Sequence, residues 1–293
     1  MQNTHYLKGS IFVFLSAILF GSYGIWSKLL GPDFGVFYQG WVRSAIVLCV
    51  LIPIALWTKQ WKRIEQKDSK WILILVLFGI GTQAPLYYAY THAGIGVSSV
   101  IFFSVILLIS YLIGWLLVGE TITKIKVTSF ILALVGLFLT FGLSIKEFSL
   151  LALGAAAVNG VASGGEVSIT KKVTDSYSSL QIVILIWFGI LVSHVPLSLL
   201  FGEMQLVPHF DIHWVAMLCF AVAGIFGFWL VVEGFKYVDA SIGRLIGLFE
   251  IVFGIVFGII LFQEVLTVPI VLGAIFIICA VALPYIEGGI YKV

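Results

Sequence analysis

Charge is what this chain has least of. Asp, Glu, Lys and Arg supply 10% of its 293 residues, against 61% hydrophobic. A water-soluble domain of that length needs far more charge to cover its surface, so the apolar excess is expected to face lipid. Cysteine is scarce as well. Cys49, Cys219 and Cys279 all sit inside apolar runs, with no CxxC or Cys/His spacing, which argues against a disulfide framework or a zinc site. The formal net charge is only +2, and no basic cluster with interleaved aromatics occurs, so nucleic acid is not an expected partner. HExxH, GxSxG, Walker A and Rossmann glycine patterns are all missing. Without them there is no catalytic signature, and no cofactor or metal is expected.

What the chain does have is long apolar runs. A hydrocarbon core about 30 Å thick needs roughly 20 helical residues. Runs of that length fall near 9–30, 34–57, 71–92, 97–118, 125–143, 149–170, 179–201, 213–236, 240–262 and 268–287. The first is too long for a signal-peptide core and lacks a convincing cleavage site, so it counts as a span. Short connections leave no room for a separate soluble domain.

The second half repeats the first. Gly119-Glu120-Thr121-Ile122-Thr123 closes one apolar run and Gln263-Glu264-Val265-Leu266-Thr267 closes another, 144 residues later. At that shift Gly114 falls on Gly258, Ser129 on Gly273 and Gly136 on Ala280. Each copy holds five spans, an odd number, so the second copy must enter the membrane from the opposite side. The expected fold is an all-α integral membrane protein of ten transmembrane helices. It forms two inverted five-helix repeats, 1–146 and 147–293, in one membrane domain. Inverted copies around a midplane site are the architecture of many alternating-access carriers.

Loop charges set the orientation. The loop 58–70 carries Lys59, Lys62, Arg63, Lys67 and Lys70. Placing it in the cytoplasm puts both termini there, together with Lys8, Lys124, Lys126, Lys171, Lys172, Lys236, Arg244 and Lys292. Lys28 and Lys146 remain outside, and Arg43 lies within span two. The expected home is the plasma (bacterial inner) membrane.

Ionisable groups inside hydrocarbon are costly and need a partner, water or a function. Glu250 lies about 15 Å along span nine at 1.5 Å per residue, on a stripe with Gly243, Gly247, Gly254 and Gly258. It is either a structural partner for Arg43 or a freed backbone group, or else a titrating or substrate-contacting site. Span six carries Asn159, Ser163 and Glu166 on one face. Glu166, near Lys171 and Lys172, reads as an interfacial ion pair or a deeper ligand. Span three places Gln83, Tyr87 and Tyr90 beside Pro85, which frees a backbone carbonyl. Such breaks are tolerated where they line a cavity. Arg43 is too deep to snorkel easily and should hold a fixed carboxylate or carbonyl partner. It is either a clamp between helices or a contact for a substrate carboxylate. Tyr23, Trp26, Trp229 and Glu233 are interfacial belt residues or gates. Glu120 and Glu264 each precede a threonine three residues on and are expected to hold tight turns. Gly160/Gly164, Gly243/Gly247 and Gly254/Gly258 are spaced for close helix packing.

These residues carry a family resemblance. Leu15-Ser16-Ala17-Ile18-Leu19-Phe20-Gly21-Ser22, Arg43, Gly119-Glu120-Thr121-Ile122-Thr123, Leu248-Phe249-Glu250 and Gln263-Glu264 together resemble the EamA-type ten-helix members of the drug/metabolite transporter superfamily. The likeness covers essentially the whole chain. It implies carriage of small metabolites, often export, through a cavity lined mainly by spans one, three, four, six, eight and nine. The family often has a proline early in spans four and nine. Leu107 and Ile251 stand at those places here, which implies straighter spans.

The expected activity is alternating-access secondary transport of a small organic metabolite, with amino acids or related compounds leading and efflux favoured. A wet polar pocket would lie halfway through the lipid. Tyr23, Trp26, Gln83, Tyr87, Asn159, Ser163 and Trp229 form the expected pathway, with Glu250, Glu166 and Arg43 as charge or proton sites. No ATP motif exists, so proton coupling or exchange is the economical drive. The partners are the bilayer and a small-molecule substrate. An intramembrane enzyme on lipid-linked substrates would need clustered acid/base or metal groups. A scaffold or sensor would show a solid interior.

Overall fold

The computed structural model describes residues 2–93, 95–142 and 149–286. Lys146, Lys292 and the expected repeat boundary lie outside them. Among the described residues there is no strand. Ten helical passages are long and apolar enough to cross a membrane: His5–Leu30, Val36–Trp57, Gln66–Tyr90, Val97–Val118, Lys124–Phe141, Leu150–Val173, Ser179–Leu200, Ile212–Gly234, Ala240–Phe262 and Val268–Tyr285. They are called spans one to ten below. Each follows one of the apolar runs, because in lipid a helix satisfies its backbone hydrogen bonds within itself.

Ten passages bring both chain ends to one side, here called the terminal face. The Ser10 and Tyr285 hydroxyls, from the first and last spans, lie 2.9 Å apart near it. Span five packs on span ten, span two on span seven, and the other six spans join these pairs. Span one packs on eight and nine, while span six packs on three and four. The 144-residue shift exchanges these two sets, so the packing carries the inverted symmetry of the repeat. At the five–ten crossing, a side-chain carbon on Gly136 would stand 2.8 Å from Ile277 and 2.9 Å from the Gly273 carbonyl. Only a bare backbone lets the helices come this close.

Several spans are interrupted. Span one breaks at Ser22, between Gln2–Gly21 and Tyr23–Leu30. Ser22 Oγ donates to the Leu19 carbonyl at 2.6 Å and accepts from Trp26 Nε1 at 3.0 Å. Span three breaks between Gln66–Ile80 and Ala84–Ala93. Pro85 has no N–H to offer the carbonyl four residues back, that of Gly81. Span four runs as α-helix through Leu107 and ends in a π-turn, Gly114–Val118.

Span nine corrects the expectation of straightness. Without any proline it breaks at Leu248, between Ala240–Gly247 and Phe249–Phe262. There Leu248 N donates to Leu245 O and Ile251 N to Leu248 O, both at 3.0 Å, so the ladder tightens locally. In an unbroken helix, residues six apart sit roughly 9 Å apart along the axis and on different faces. The break brings Arg244 Nη2 to 2.9 Å from Glu250 Oε1. The ion pair, not a ring constraint, accompanies this kink.

Candidate functional site

The interruptions position the polar side chains. Arg43, on unbroken span two, is fully buried at 0% exposure. Its Nη2 donates to the Gln83 side-chain carbonyl and its Nη1 to Tyr87 Oη at 3.3 Å. Both acceptors come from the break in span three. The expected carbonyl partner is therefore present, supplied by an amide. The guanidinium lies 4.0 Å from the Phe220 ring centroid, 5.4 Å from Trp187 and 5.6 Å from Tyr23. Aromatic faces stabilise a desolvated cation. Among the described residues no carboxylate lies within 4.0 Å of it.

Asn159 is equally buried, and its Nδ2 donates to the Gly81 carbonyl at 3.2 Å. That is the acceptor Pro85 leaves free. Ser163 Oγ donates onward to Asn159 Oδ1 at 3.4 Å. Spans three and six are thus tied together by the residues expected of them.

Glu250 finds Arg244, not Arg43. Arg244, which the loop-charge pattern puts with the cytoplasmic cations, is 9% exposed within span nine. Its depth was legible only as a position inside the apolar run, because its partner depends on the break. Of the two readings open for Glu166, the interfacial ion pair is not formed. Glu166 is 6% exposed, and among the described residues no Lys or Arg nitrogen lies within 4.0 Å of it. Lys171 goes elsewhere. Glu166 is therefore a deep carboxylate rather than an interfacial ion pair. The Tyr23 ring lies 5.6 Å from the Arg43 guanidinium, and the charges of Glu250 and Glu166 also act on its hydroxyl. Tyr90 hydrogen-bonds Ser99 at 3.5 Å.

Trp229 does not join them. Leu218, Val222, Phe226 and Trp229 are all exposed, at helical spacing along span eight, which is a lipid-facing stripe. Trp229 tilts against Phe12 at 6.2 Å. Trp229→Leu is expected to leave stability within about 0.5 kcal/mol of the parent and any flux unchanged, as read by unfolding midpoint and vesicle uptake. Glu233 is held by Ser179 Oγ at 2.6 Å and Lys236 Nζ at 2.7 Å. Trp26 lies with Tyr23 beside a buried cluster that contains Tyr38, Trp214 and Phe220.

In this conformation the polar groups pack on one another. Arg43 and Asn159 are 0% exposed and Gln83 is 5% exposed, so the expected wet pocket is closed at this level. A separate open groove of about 210 Å³ has apolar walls that include Ile11, Phe14, Phe249 and Val281.

A second charged cluster closes the terminal face. Glu120, from the turn after span four, reaches the start of span nine in the other repeat. It accepts from Ala240 N, from Ser241 N at 3.3 Å and from Ser241 Oγ at 2.7 Å. Lys126 Nζ reaches Asp239 at 2.8 Å, and Lys171 Nζ reaches Asp239 at 3.4 Å and Glu120 at 3.5 Å. Thr123 caps span five as expected, accepting from Lys126 N at 3.3 Å. Glu120 thus does more than hold a turn. It joins the two repeats.

Burial alone would raise the Asp239 carboxyl. The hydrogen bond and charge of Lys126, with the charge of Lys171, overcome this and hold it below its ordinary value of 3.8. A depressed carboxylate stabilises the fold above its unfolded pKa, and that contribution disappears as pH falls through the lower folded value. The unfolding midpoint is therefore expected to drop more steeply below about pH 4 in the parent than in Asp239→Asn. Parallel slopes down to pH 3 would contradict this.

A family model described as the EamA-like transporter family matches residues 7–142 and again 150–286. Among solved structures 28 chains match. One, a crystal structure of a protein, superposes with a TM-score of 0.78 over 95% of this chain and 98% of that chain, at 15% sequence identity. At that identity the likeness speaks for the fold alone. No curated protein matches the chain.

Proposed function

The chain belongs to the EamA-like transporter family, a membrane transporter of small molecules rather than an enzyme, and on that premise we propose that it is a secondary carrier working by alternating access. Its cargo is a small organic metabolite, an amino acid or related compound, moved outward and coupled to protons. One observation carries this reading. Charges of both signs that make no ion pair among the described residues, Arg43 on span two and Glu166 on span six, are buried one in each repeat, on helices that pack against the interrupted span three. Each is expensive in lipid, where a buried ionisable group points to function by default. A zwitterion presents one charge to each.

Tyr23, Gln83, Tyr87, Asn159 and Ser163 would contact the cargo, with Trp26 at the end of span one beside them. Glu250 and Glu166 are the proton candidates. Arg244 faces both, and Tyr23 and Tyr90 also lie within electrostatic reach of Glu250. The basic loop after span two supports a plasma (bacterial inner) membrane location with cytoplasmic termini.

The close packing around Arg43 is also what a scaffold would show, so flux decides between them. Purified protein in sealed vesicles should exchange labelled amino acids, and an inward proton gradient should accelerate efflux. Correctly inserted protein with no flux for a broad metabolite panel would overturn the carrier reading. Glu250→Gln is expected to flatten the dependence of flux on pH. An unchanged pH profile would remove Glu250 as the proton site.

A further inference from the structure

We propose that Arg43 is the anchor for a carboxylate group, and that the seat for this carboxylate lies between Arg43, Tyr23, Trp187 and Gly224. This rests on the carrier reading above and names the chemistry of one end of its cargo.

The argument begins with unsatisfied donors. Arg43 Nε, Tyr23 Oη and Trp187 Nε1 are all buried with no hydrogen-bond partner among the described residues. Buried polar groups are nearly always paired, and each orphan costs free energy. All three can donate, and the Arg43 and Trp187 nitrogens can do nothing else. They come from spans one, two and seven, and both rings stand within 5.6 Å of the guanidinium carbon. A cluster of orphaned donors around an unpaired cation calls for an anionic acceptor.

Gly224 keeps the side of this cluster facing span eight bare. A side-chain carbon there would stand 3.2 Å from Tyr23 Oη and 3.3 Å from the Trp187 ring. A methyl there would press on the Tyr23 hydroxyl and on the six-membered edge of the Trp187 indole. Gln83 supplies a stand-in, because its amide carbonyl already holds Arg43 Nη2 as a carboxylate oxygen would. When the bundle opens, a carboxylate takes the place of that neutral oxygen and gains a charge-assisted, two-pronged bond.

The chemistry selects among anions. One planar guanidinium with no second cation beside it matches a planar monoanion. A phosphate dianion would leave charge uncompensated in hydrocarbon.

The test uses the full-length protein in detergent. Thermal stabilisation is measured with alanine, leucine and phenylalanine, with the carboxamide and the decarboxylated amine of each, and with inorganic phosphate. A ligand that binds only the folded state raises the midpoint in proportion to its occupancy. The carboxylates should stabilise the parent, whereas the amides, amines and phosphate should not. Arg43→Gln should weaken carboxylate binding at least about 30-fold. Tyr23→Phe should weaken it roughly tenfold, and Gly224→Ala should also weaken it by crowding the seat. The Tyr23 and Gly224 variants keep the test alive if Arg43→Gln does not fold.

Equal stabilisation by amides or amines would overturn the proposal. So would stabilisation by phosphate alone, or carboxylate binding that survives Arg43→Gln or both milder variants. No shift with any carboxylate also overturns it. Vesicle flux of a cargo without a carboxylate would sink the anchor and leave the carrier standing, whereas absence of all flux sinks the carrier itself.

Discussion

Glu120→Ala is expected to lower unfolding stability by about 3–5 kcal/mol, the range for breaking a buried charged network from one side. The side chain is 5% exposed beside Lys126, itself 6% exposed. Removing it orphans the first amides of the helix Ala240–Gly247 and leaves Asp239 as the one carboxylate shared by Lys126 and Lys171. Glu120→Gln keeps an acceptor oxygen and should cost less. The pseudo-symmetric Glu264 provides the control. It sits 59% exposed and pairs with Lys28 at 3.6 Å, so Glu264→Ala should cost no more than about 1 kcal/mol. Unfolding midpoints give the difference, and amide exchange across 240–247 localises it. A Glu120 variant no weaker than the Glu264 variant would dissolve the claim that this cluster ties the repeats.

Arg244→Met should be comparably damaging, again about 3–5 kcal/mol, because it leaves the buried Glu250 carboxylate without its cation. Glu250→Leu should also destabilise, by stranding Arg244. The double variant should recover most of the loss, since an apolar pair replaces a buried ionic one at little cost. The Arg244 charge also acts on Glu166, so its loss there is one part the double variant does not recover. Additive losses in the double variant would mean that the 2.9 Å contact contributes nothing. Flux measured on the same variants separates a structural pair from a transporting one.

Legibility differed by residue for physical reasons. Pro85, Gly81 and Asn159 were half readable, since a missing N–H must free a carbonyl four residues back. The donor from span six could not be foreseen. Trp229 was misread because an aromatic on a lipid stripe and one on a pathway look alike until the helix is oriented. Arg244 counted in sequence as a cytoplasmic-side cation, because only the break at Leu248 turns it to Glu250. Glu120 was seen as the end of a span. Its grip on Ala240 and Ser241 crosses 120 residues of chain, and local spacing says nothing about that.

By itself the sequence determined that this chain lives in lipid, crosses it ten times and folds as two opposed copies. Those features follow from transfer free energy and length, which add up residue by residue along the chain. Only the tertiary structure decided which buried charges meet and which stay alone. Pairing depends on a few ångströms between helices distant in sequence, and on kinks that no periodicity records.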